Sequence, residues 1–140
     1  MLCAQGVRLP RKAHPADAGY DVFLLEDVSL EPGERKPIRS GFRVIIQEGC
    51  RAEVKIRSSY WLRGLHTEGV IDAEYRGELY YMLENKNEHK AELPKDSRLV
   101  QLVFTSVPDI EMTIEDENVI TNPIDIRLLR GEGRFGSTGK

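Results

Sequence analysis

The sequence predicts an all-β domain, a sandwich or barrel of short strands with one short helix. Short apolar or β-branched runs recur along the chain and turn-forming residues separate them. The 140 residues suffice for one domain but not for two. Hydrophobic residues make up 40% of the chain, enough for a real core. Many short strands with regular turns are typical of a sandwich or a barrel.

Four segments show the strand pattern. Residues 52–56 alternate strictly between apolar and polar side chains, as a half-buried strand does. Residues 42–46 and 99–104 are short runs of β-branched or apolar residues. Residues 79–83 follow a break at a glycine and are interpreted in the same way. Turn-forming residues separate these runs, at 31–34, 48–49 and 85–87.

A helix is predicted in one short segment, residues 59–63, which a following glycine ends. A second helix stays open for residues 78–93, because that window contains neither Gly nor Pro. A β-hairpin is favoured there, since Tyr80 and Tyr81 are poor helix formers and residues 85–87 indicate a turn.

The last ten residues differ in composition from the rest. Residues 131–140 contain four glycines and one large apolar side chain, Phe135. Such a segment has little to bury, so we predict a mobile arm. The predicted organisation is a β domain over residues 1–129 and a glycine-rich arm over residues 130–140.

The charge and the ends of the chain exclude several function classes. Lys and Arg number 20 against 23 Asp and Glu, without the basic excess of a general nucleic-acid binder. No apolar run approaches the ~20 residues of a membrane helix. The N-terminal residues lack the apolar core of a secretory signal, and two cysteines make no disulfide framework. We therefore expect an intracellular protein, cytoplasmic or nuclear, that binds neither nucleic acid nor membranes.

Basic residues are concentrated in three segments with few acids. These segments are 7–15, 51–63 and 127–140. They are either three solvated faces or parts of one surface that binds a compact anion. The residues alone leave both interpretations open.

The glycines of the arm resemble two phosphate-binding motifs and satisfy neither. Residues 131–136 match G-x-G-x-x-G, but that fingerprint requires a strand before it and a helix after it, and neither is predicted here. In a Walker A loop, Ser137 would stand where the lysine is required. The arm is then either a flexible tail or a segment whose N–H groups wrap phosphates while Phe135 stacks on a base.

Two other segments carry candidate chemistry. Asp72 lies between apolar residues and an aromatic one, and is either a turn former or a carboxylate that takes a proton from water. At Arg57, Ser58 and Ser59 the predicted strand passes into the predicted helix. Serines there are ordinary helix N-caps, but the same arrangement offers donors to an anion.

Taken together and in order, five segments resemble the motifs of the trimeric deoxyuridine triphosphatases and span nearly the whole chain. The segments are 18–21, 57–59, 69–78, 98–102 and 130–139. The third and the fifth are the most specific. Four residues depart from the family's usual pattern without removing a group assigned to chemistry, namely Ser59, Glu74, Ser97 and Arg134.

The resemblance implies a distorted jelly-roll or β-clip barrel that hydrolyses dUTP to dUMP and pyrophosphate with Mg²⁺. Asp72 would deprotonate a water that attacks the α-phosphorus in line. Tyr75 would pack on the deoxyribose and exclude a 2′-hydroxyl. A hairpin running from Gly69 to Tyr80 would recognise uracil through main-chain groups. The further contacts implied in that segment are Val70, Ile71, Ala73 and Glu74.

The resemblance also implies how the triphosphate is held. The expected phosphate contacts are Arg57, Ser58, Ser59 and Gln101. The arm would close over the nucleotide with Phe135 above the uracil, and its phosphate contacts would be Arg130, Gly136, Ser137 and Thr138. Asp21 would hold, through water, a Mg²⁺ ion bound to the phosphates. The active sites would lie between the subunits of a homotrimer.

Two alternatives stay open. A dCTP deaminase of the same fold needs a glutamate ten residues after the hairpin aspartate, where this chain has Met82. A non-catalytic interaction module is disfavoured because such a protein is expected to have lost Asp72, Tyr75 or the arm, and all three are present.

Overall fold

A computed structural model describes residues 2–3 and 6–112, which contain eleven strands and one short helix. The strands are β1 (Leu2–Cys3), β2 (Gly19–Phe23), β3 (Val28–Leu30), β4 (Arg35–Arg39), β5 (Phe42–Arg43), β6 (Cys50–Ile56), β7 (Leu65–His66), β8 (Glu68–Ile71), β9 (Tyr80–Asn85), β10 (Ala91–Leu93) and β11 (Arg98–Ser106). The helix is α1 (Ser58–Trp61). This part of the chain is therefore almost entirely β, as predicted.

The strands form four antiparallel sheets within the described residues. The largest has the order β2-β11-β6-β8, and a three-stranded sheet has the order β4-β9-β7. Two strand pairs, β3 with β10 and β1 with β5, complete the set. Most neighbours in these sheets are distant in sequence, so their pairing depends on contacts that no local pattern encodes.

One hydrophobic cluster joins these sheets. Val54 and Leu102 face each other on β6 and β11, and Leu83 contributes from the three-stranded sheet. Leu30 and Leu93 add the β3–β10 pair, and all five side chains are at most 2% exposed. The alternation seen in the sequence therefore places the apolar side of each strand against a common core.

Strand prediction succeeded where hydrogen-bonded partners exist. The predicted strands at 52–56 and 99–104 are confirmed as β6 and β11, both of them longer. The predicted strand at 42–46 is wrong beyond Arg43, although burial continues to alternate through buried Val44 and Ile46. In the described residues β5 pairs only with the short β1, and the rest of the segment belongs to no strand.

Two further predictions need correction. Helix α1 begins one residue earlier and ends two residues earlier than the predicted 59–63. In the window 78–93 the preference for strands over a helix is confirmed, but the hairpin is wrong. Strand β9 pairs with β4 and β7, whereas β10 pairs with β3. Each strand finds its partner in another part of the chain, so the turn after β9 joins two sheets.

Asn85 connects three segments from inside the core. It is fully buried, and its Nδ2 donates to the carbonyl oxygens of Leu30, Glu31 and His89 at 3.1, 3.2 and 2.8 Å. Replacing it with Ala would leave these carbonyls without their donor, so we expect the free energy of unfolding to fall by about 2–4 kcal/mol. Urea unfolding followed by circular dichroism measures this loss.

The neighbouring Lys86→Ala variant is the control for that measurement. Lys86 is exposed, and its change is expected to stay within about 0.5 kcal/mol of the parent. A loss for Asn85→Ala no larger than for Lys86→Ala would show that the buried amide does not hold these segments.

The described residues up to Pro108 belong to one unit. Residues 109–112 belong to a second unit that runs to residue 140 and otherwise lies outside the described residues. The predicted boundary between residues 129 and 130 falls there and stays a prediction. Within the described residues, no helix is long and apolar enough to cross a membrane.

Candidate active site

Asp21 is the centre of a cluster of donors formed by Asp21, Arg57, Arg98 and Gln101, here called the arginine cluster. The Asp21 side chain is 2% exposed. Its Oδ1 accepts a hydrogen bond from Gln101 Nε2 at 3.0 Å and lies 3.4 Å from Arg57 Nε. Its Oδ2 accepts from Arg98 Nη1 at 3.2 Å. One buried carboxylate therefore orients two guanidinium groups and one amide.

Strand register and long-range hydrogen bonds bring these side chains together. Asp21 on β2 pairs with Gln101 on β11 in the sheet register. Gly19 makes room for the Gln101 side chain, because a Cβ at position 19 would lie 2.9 Å from the Cβ of Gln101. Arg57 is held at both ends, since its N–H donates to the Leu99 carbonyl at 3.1 Å and its Nη1 to the Arg98 carbonyl at 3.2 Å.

The arginine cluster presents positive charge at the surface. Two guanidinium groups stand against one carboxylate, and the Arg57 and Arg98 side chains are 28% and 41% exposed. Ser58 and Ser59 follow directly and are exposed at the start of α1. The N-cap interpretation of these serines is wrong, because the N-cap is Arg57 and it makes no side-chain capping bond. This arrangement of exposed donors can bind an anion such as a phosphate.

The described residues do not form a metal site of their own. They contain no group of three or more His, Cys, Asp or Glu side chains that could hold an ion. Asp21 is no direct ligand in this geometry, because both of its oxygens are engaged by Arg57, Arg98 and Gln101. A contact from Asp21 to the water shell of Mg²⁺ stays a prediction.

A second group of predicted residues lines a small cavity, here called the Asp72 cavity. Its volume is about 170 Å³, and it is lined by Val70, Ile71, Asp72, Tyr75, Leu79 and Tyr80. This is below the roughly 300–1,000 Å³ of sites for drug-sized ligands. The volume is that of a site for a small ligand or for part of a larger one.

Asp72 serves both as a turn residue and as an available carboxylate. Its carbonyl accepts the Tyr75 N–H at 3.1 Å, which closes the turn after β8. Its side chain is exposed, and no described residue hydrogen-bonds to its carboxylate. The turn interpretation is therefore correct for the main chain, and the carboxylate is left available to accept a proton.

The Tyr75 ring is fixed over a glycine. Its hydroxyl donates to the Glu78 carbonyl at 2.7 Å. A Cβ at Gly77 would lie 2.7 Å from Tyr75 Cζ, so only glycine leaves space for the ring in this position. Arg76 closes the same loop by donating from Nη1 to the Ala73 and Tyr75 carbonyls.

The predicted hairpin from Gly69 to Tyr80 is wrong as a hydrogen-bonded pair. Strand β8 pairs with β6, and β9 pairs with β4 and β7, so the two arms belong to different sheets. Tyr80 is 50% exposed and Val70 is 60% exposed, and both line the Asp72 cavity. The loop 72–79 thus joins β8, an edge strand of one sheet, to β9, the central strand of the other, and residues of both strands line the cavity.

The chain does not bring the two groups of residues together. Ile71 pairs with Ala52, so Asp72 follows β8 at the level of Arg51, whereas Arg57 lies beyond the opposite end of β6. The six residue steps from 51 to 57 span about 20 Å of strand at about 3.3 Å per residue. The arginine cluster and the Asp72 cavity therefore lie at opposite ends of one strand pair.

The structure brings parts of two basic segments together and pairs other basic residues with an acid. The Arg11 main chain bridges Asp21, which places segment 7–15 beside the arginine cluster. In segment 51–63, Arg51 and Lys55 instead form ion pairs with Glu53 and lower its pKa, the Lys55 hydrogen bond having the larger effect. Segment 127–140 lies outside the described residues.

Five predicted contacts of the arm also lie outside the described residues, namely Arg130, Phe135, Gly136, Ser137 and Thr138. Sequence reasoning assigned no role to Arg98 or Gly77, although both lie within recognised segments. Arg98 lies two residues after Asp96, and a Cβ at Gly77 would collide with the Tyr75 ring in its observed position. For Gly77, the available signal in the sequence was its position between two charged residues.

Comparisons with known proteins agree with one family. The family model described as dUTPase matches residues 5–139. A Clostridium tetani protein named deoxyuridine 5'-triphosphate nucleotidohydrolase is 34% identical, with 99% of this chain and 94% of that protein covered. A protein of the same name from Thermobifida fusca is 37% identical, with 94% and 72% covered.

Solved structures show the same fold. A dUTPase variant of Staphylococcus bacteriophage 80alpha, solved with dUpNHpp, has a TM-score of 0.82 at 29% identity and covers all of this chain and 96% of its own. A dUTPase variant of S. aureus phage phi11, described with a structural Mg(II) ion, has a TM-score of 0.76 at 26% identity, with 84% and 95% covered. Both the predicted fold class and the resemblance are confirmed: the chain belongs to the dUTPase family.

Proposed function

We propose that this protein is a dUTP diphosphatase that hydrolyses dUTP to dUMP and pyrophosphate. The observation that carries the proposal is the Asp72 cavity, where an exposed carboxylate lies near a hydrogen-bonded tyrosine ring in a space of about 170 Å³. The arginine cluster supplies the complementary feature, a positively charged surface for a triphosphate.

The proposed reaction is an in-line displacement at the α-phosphorus. Asp72 takes a proton from a water molecule, whose oxygen forms a new bond to that phosphorus. The bond from phosphorus to the α–β bridging oxygen breaks, and pyrophosphate leaves with that oxygen. Arg57 and Gln101 hold the phosphates, and Ser58 donates to the bridging oxygen as charge develops there.

Selectivity for the base and sugar is proposed to come from the cavity walls. Main-chain groups of 69–71 and of Tyr80 pair with uracil, and cytosine presents the opposite donors and acceptors. Ala73 and Glu74 form the turn below the base, and the Tyr75 ring leaves no space for a 2′-hydroxyl. A wrong base or sugar would leave buried polar groups unpaired, which is costly.

Mg²⁺ is proposed to arrive bound to the triphosphate, since the described residues form no site for it. When bound, the ion neutralises phosphate charge and fixes the phosphate conformation. Asp21 contributes by orienting Arg57 and Gln101, and it is also proposed to meet waters of the ion. The arm residues Arg130, Phe135, Gly136, Ser137 and Thr138 are proposed to cover the nucleotide.

We further propose a homotrimer whose sites are shared between subunits, in an intracellular compartment. The support is the separation of about 20 Å between Asp72 and Arg57 along one chain. A general base and the donors on the leaving group must both reach one phosphorus within hydrogen-bond distance. Two copies of the chain, each supplying one of these groups, satisfy this requirement. A closed symmetric assembly forms one such shared site at each equivalent interface.

Mixing two inactive variants tests the shared site. Asp72→Asn lacks the base and Arg57→Ala lacks the phosphate donor, so each alone is expected to be nearly inactive. After joint unfolding and refolding, random assortment should give about a quarter of the sites both intact groups. Pyrophosphate release from dUTP should then recover to a similar fraction. No recovery, with trimers seen by light scattering, would contradict a site shared in this way.

The function itself is tested by incubating the parent protein with dUTP, dCTP, dTTP and UTP, with and without Mg²⁺. We expect pyrophosphate release from dUTP to be far faster than from the other three nucleotides. Ammonia release from dCTP would favour the deaminase, although Met82 is a half-exposed thioether on β9 and has no proton to exchange. Nucleotide binding without turnover would favour an interaction module.

A further inference from the structure

The Glu78 side chain is anchored to the corner between β4 and β5. Its Oε1 accepts hydrogen bonds from Arg39 Nε at 3.1 Å and from the Gly41 N–H at 3.0 Å, and its Oε2 accepts from Arg39 Nη2 at 2.9 Å. The Arg39 bonds are the largest cause of a lowered pKa for Glu78, so the carboxylate stays ionised at neutral pH. This two-pronged contact fixes direction as well as distance.

The corner that receives Glu78 is itself rigid. Gly41 has a φ of +76°, and a Cβ there would lie 2.8 Å from Val7 Cγ2. The Ser40 N–H donates to the Leu79 carbonyl, and the Leu79 N–H donates to the Phe42 carbonyl, each at 3.0 Å. Residues 78–79 are therefore attached to this corner through both side chain and main chain.

The other end of Glu78 holds Tyr75. The Tyr75 hydroxyl donates to the Glu78 carbonyl at 2.7 Å, and the ring has no other described hydrogen bond. Tyr75 is 45% exposed, so packing alone does not fix it. A continuous set of contacts thus runs from the exposed Arg39, which lies outside the cavity, through Glu78 to the ring.

We propose that Arg39 and Glu78 are positioning residues that hold the Tyr75 ring in place and thereby set the preference for deoxyribose over ribose. The proposal rests on the proposed function, in which Tyr75 excludes the 2′-hydroxyl. The test below separates this geometric role from a contribution to folding, which a bidentate pair with Glu78 only 22% exposed also makes.

The same sheet offers a matched control. Arg35 on β4 and Glu84 on β9 form a second cross-strand ion pair, with Arg35 Nε 3.1 Å from Glu84 Oε1. Its exposure resembles that of the first pair, at 70% and 20% against 61% and 22%. Neither residue lines the Asp72 cavity or hydrogen-bonds to Tyr75, and Glu84 has His66 and Lys86 as further partners.

The test measures kcat/KM for dUTP and for UTP in Arg39→Ala, Glu78→Gln, Arg35→Ala and Glu84→Gln. We expect the dUTP/UTP ratio to fall about tenfold in the first two, the scale of discrimination by one small group, and to stay at the parent value in the controls. A purely structural role would lower both rates together and leave the ratio unchanged, which would overturn the proposal.

Tyr75→Phe separates the hydroxyl from the ring. It should lower the dUTP/UTP ratio as much as Arg39→Ala does. The variant that combines both substitutions should lower the ratio no further, because both changes remove the same restraint on the ring. Additive effects would contradict the proposed connection. Calorimetric affinities for dUDP and UDP give the same ratio without turnover, so the positioning role is judged even if the parent protein fails to hydrolyse dUTP.

Discussion

Asp72→Asn is expected to lower kcat for dUTP by about 10²–10⁴, the usual contribution of a general base. The amide has the shape of the carboxylate but does not accept the proton of the attacking water. The stability of the fold should change little, because the Asp72 side chain is exposed and no described residue hydrogen-bonds to it. The free energy of unfolding should therefore stay within about 0.5 kcal/mol of the parent value.

Steady-state pyrophosphate release and urea unfolding measure the two quantities. Glu68→Gln is the matched control, since Glu68 is an exposed acid on the same strand, β8, and does not line the Asp72 cavity. It should retain the parent kcat. An Asp72→Asn protein that turns over dUTP as fast as Glu68→Gln would refute the assignment of the base.

Asp21→Asn is expected to reduce kcat/KM by about 10²-fold, because small displacements of positioning groups have effects of that size. The substitution removes the charge that orients Arg57 and Arg98 and leaves two guanidinium groups to repel each other. Stability should fall as well, by about 2–3 kcal/mol. This is less than for a fully buried pair because both arginines are partly exposed.

Asp96→Asn provides the comparison for Asp21. Asp96 also pairs with an arginine, Arg8, at 3.5 Å, but both side chains are 47% exposed. Its substitution should change neither kcat/KM nor the free energy of unfolding measurably. Titrating Mg²⁺ into Asp21→Asn tests the predicted contact with waters of the ion, since a parent-like Mg²⁺ requirement leaves only the orienting role. Full activity of Asp21→Asn would contradict both roles.

Sequence patterns predicted most of what depends on neighbouring residues. The alternation in 52–56 gave the correct buried face of β6, and the passage from strand to helix at Arg57 is confirmed. The same patterns failed for 42–46 and for the two proposed hairpins. Burial follows from local alternation, but a strand also needs a hydrogen-bonded partner, and those partners lie far away in sequence.

In the candidate site, too, some features are local in sequence and others depend on long-range contacts. The turn at Asp72 and the glycine beneath Tyr75 are local features, and both lie within one recognised segment. The engagement of Asp21 by three donors was not predicted from its motif, since Arg57, Arg98 and Gln101 come from distant parts of the chain. Arg39 has no motif signal at all, and only long-range contacts connect it to the site, through Glu78 and through its register position opposite Tyr80.

The family and the types of chemical group available follow from the linear chain, because they depend on the composition, order and spacing of five segments. Where those groups lie in space depends on the fold. It buries Asp21 among guanidinium groups and separates Arg57 from Asp72 by the length of a strand pair. The physical reason is that strand register is set by long-range pairing and core packing, which the local order of residues does not specify.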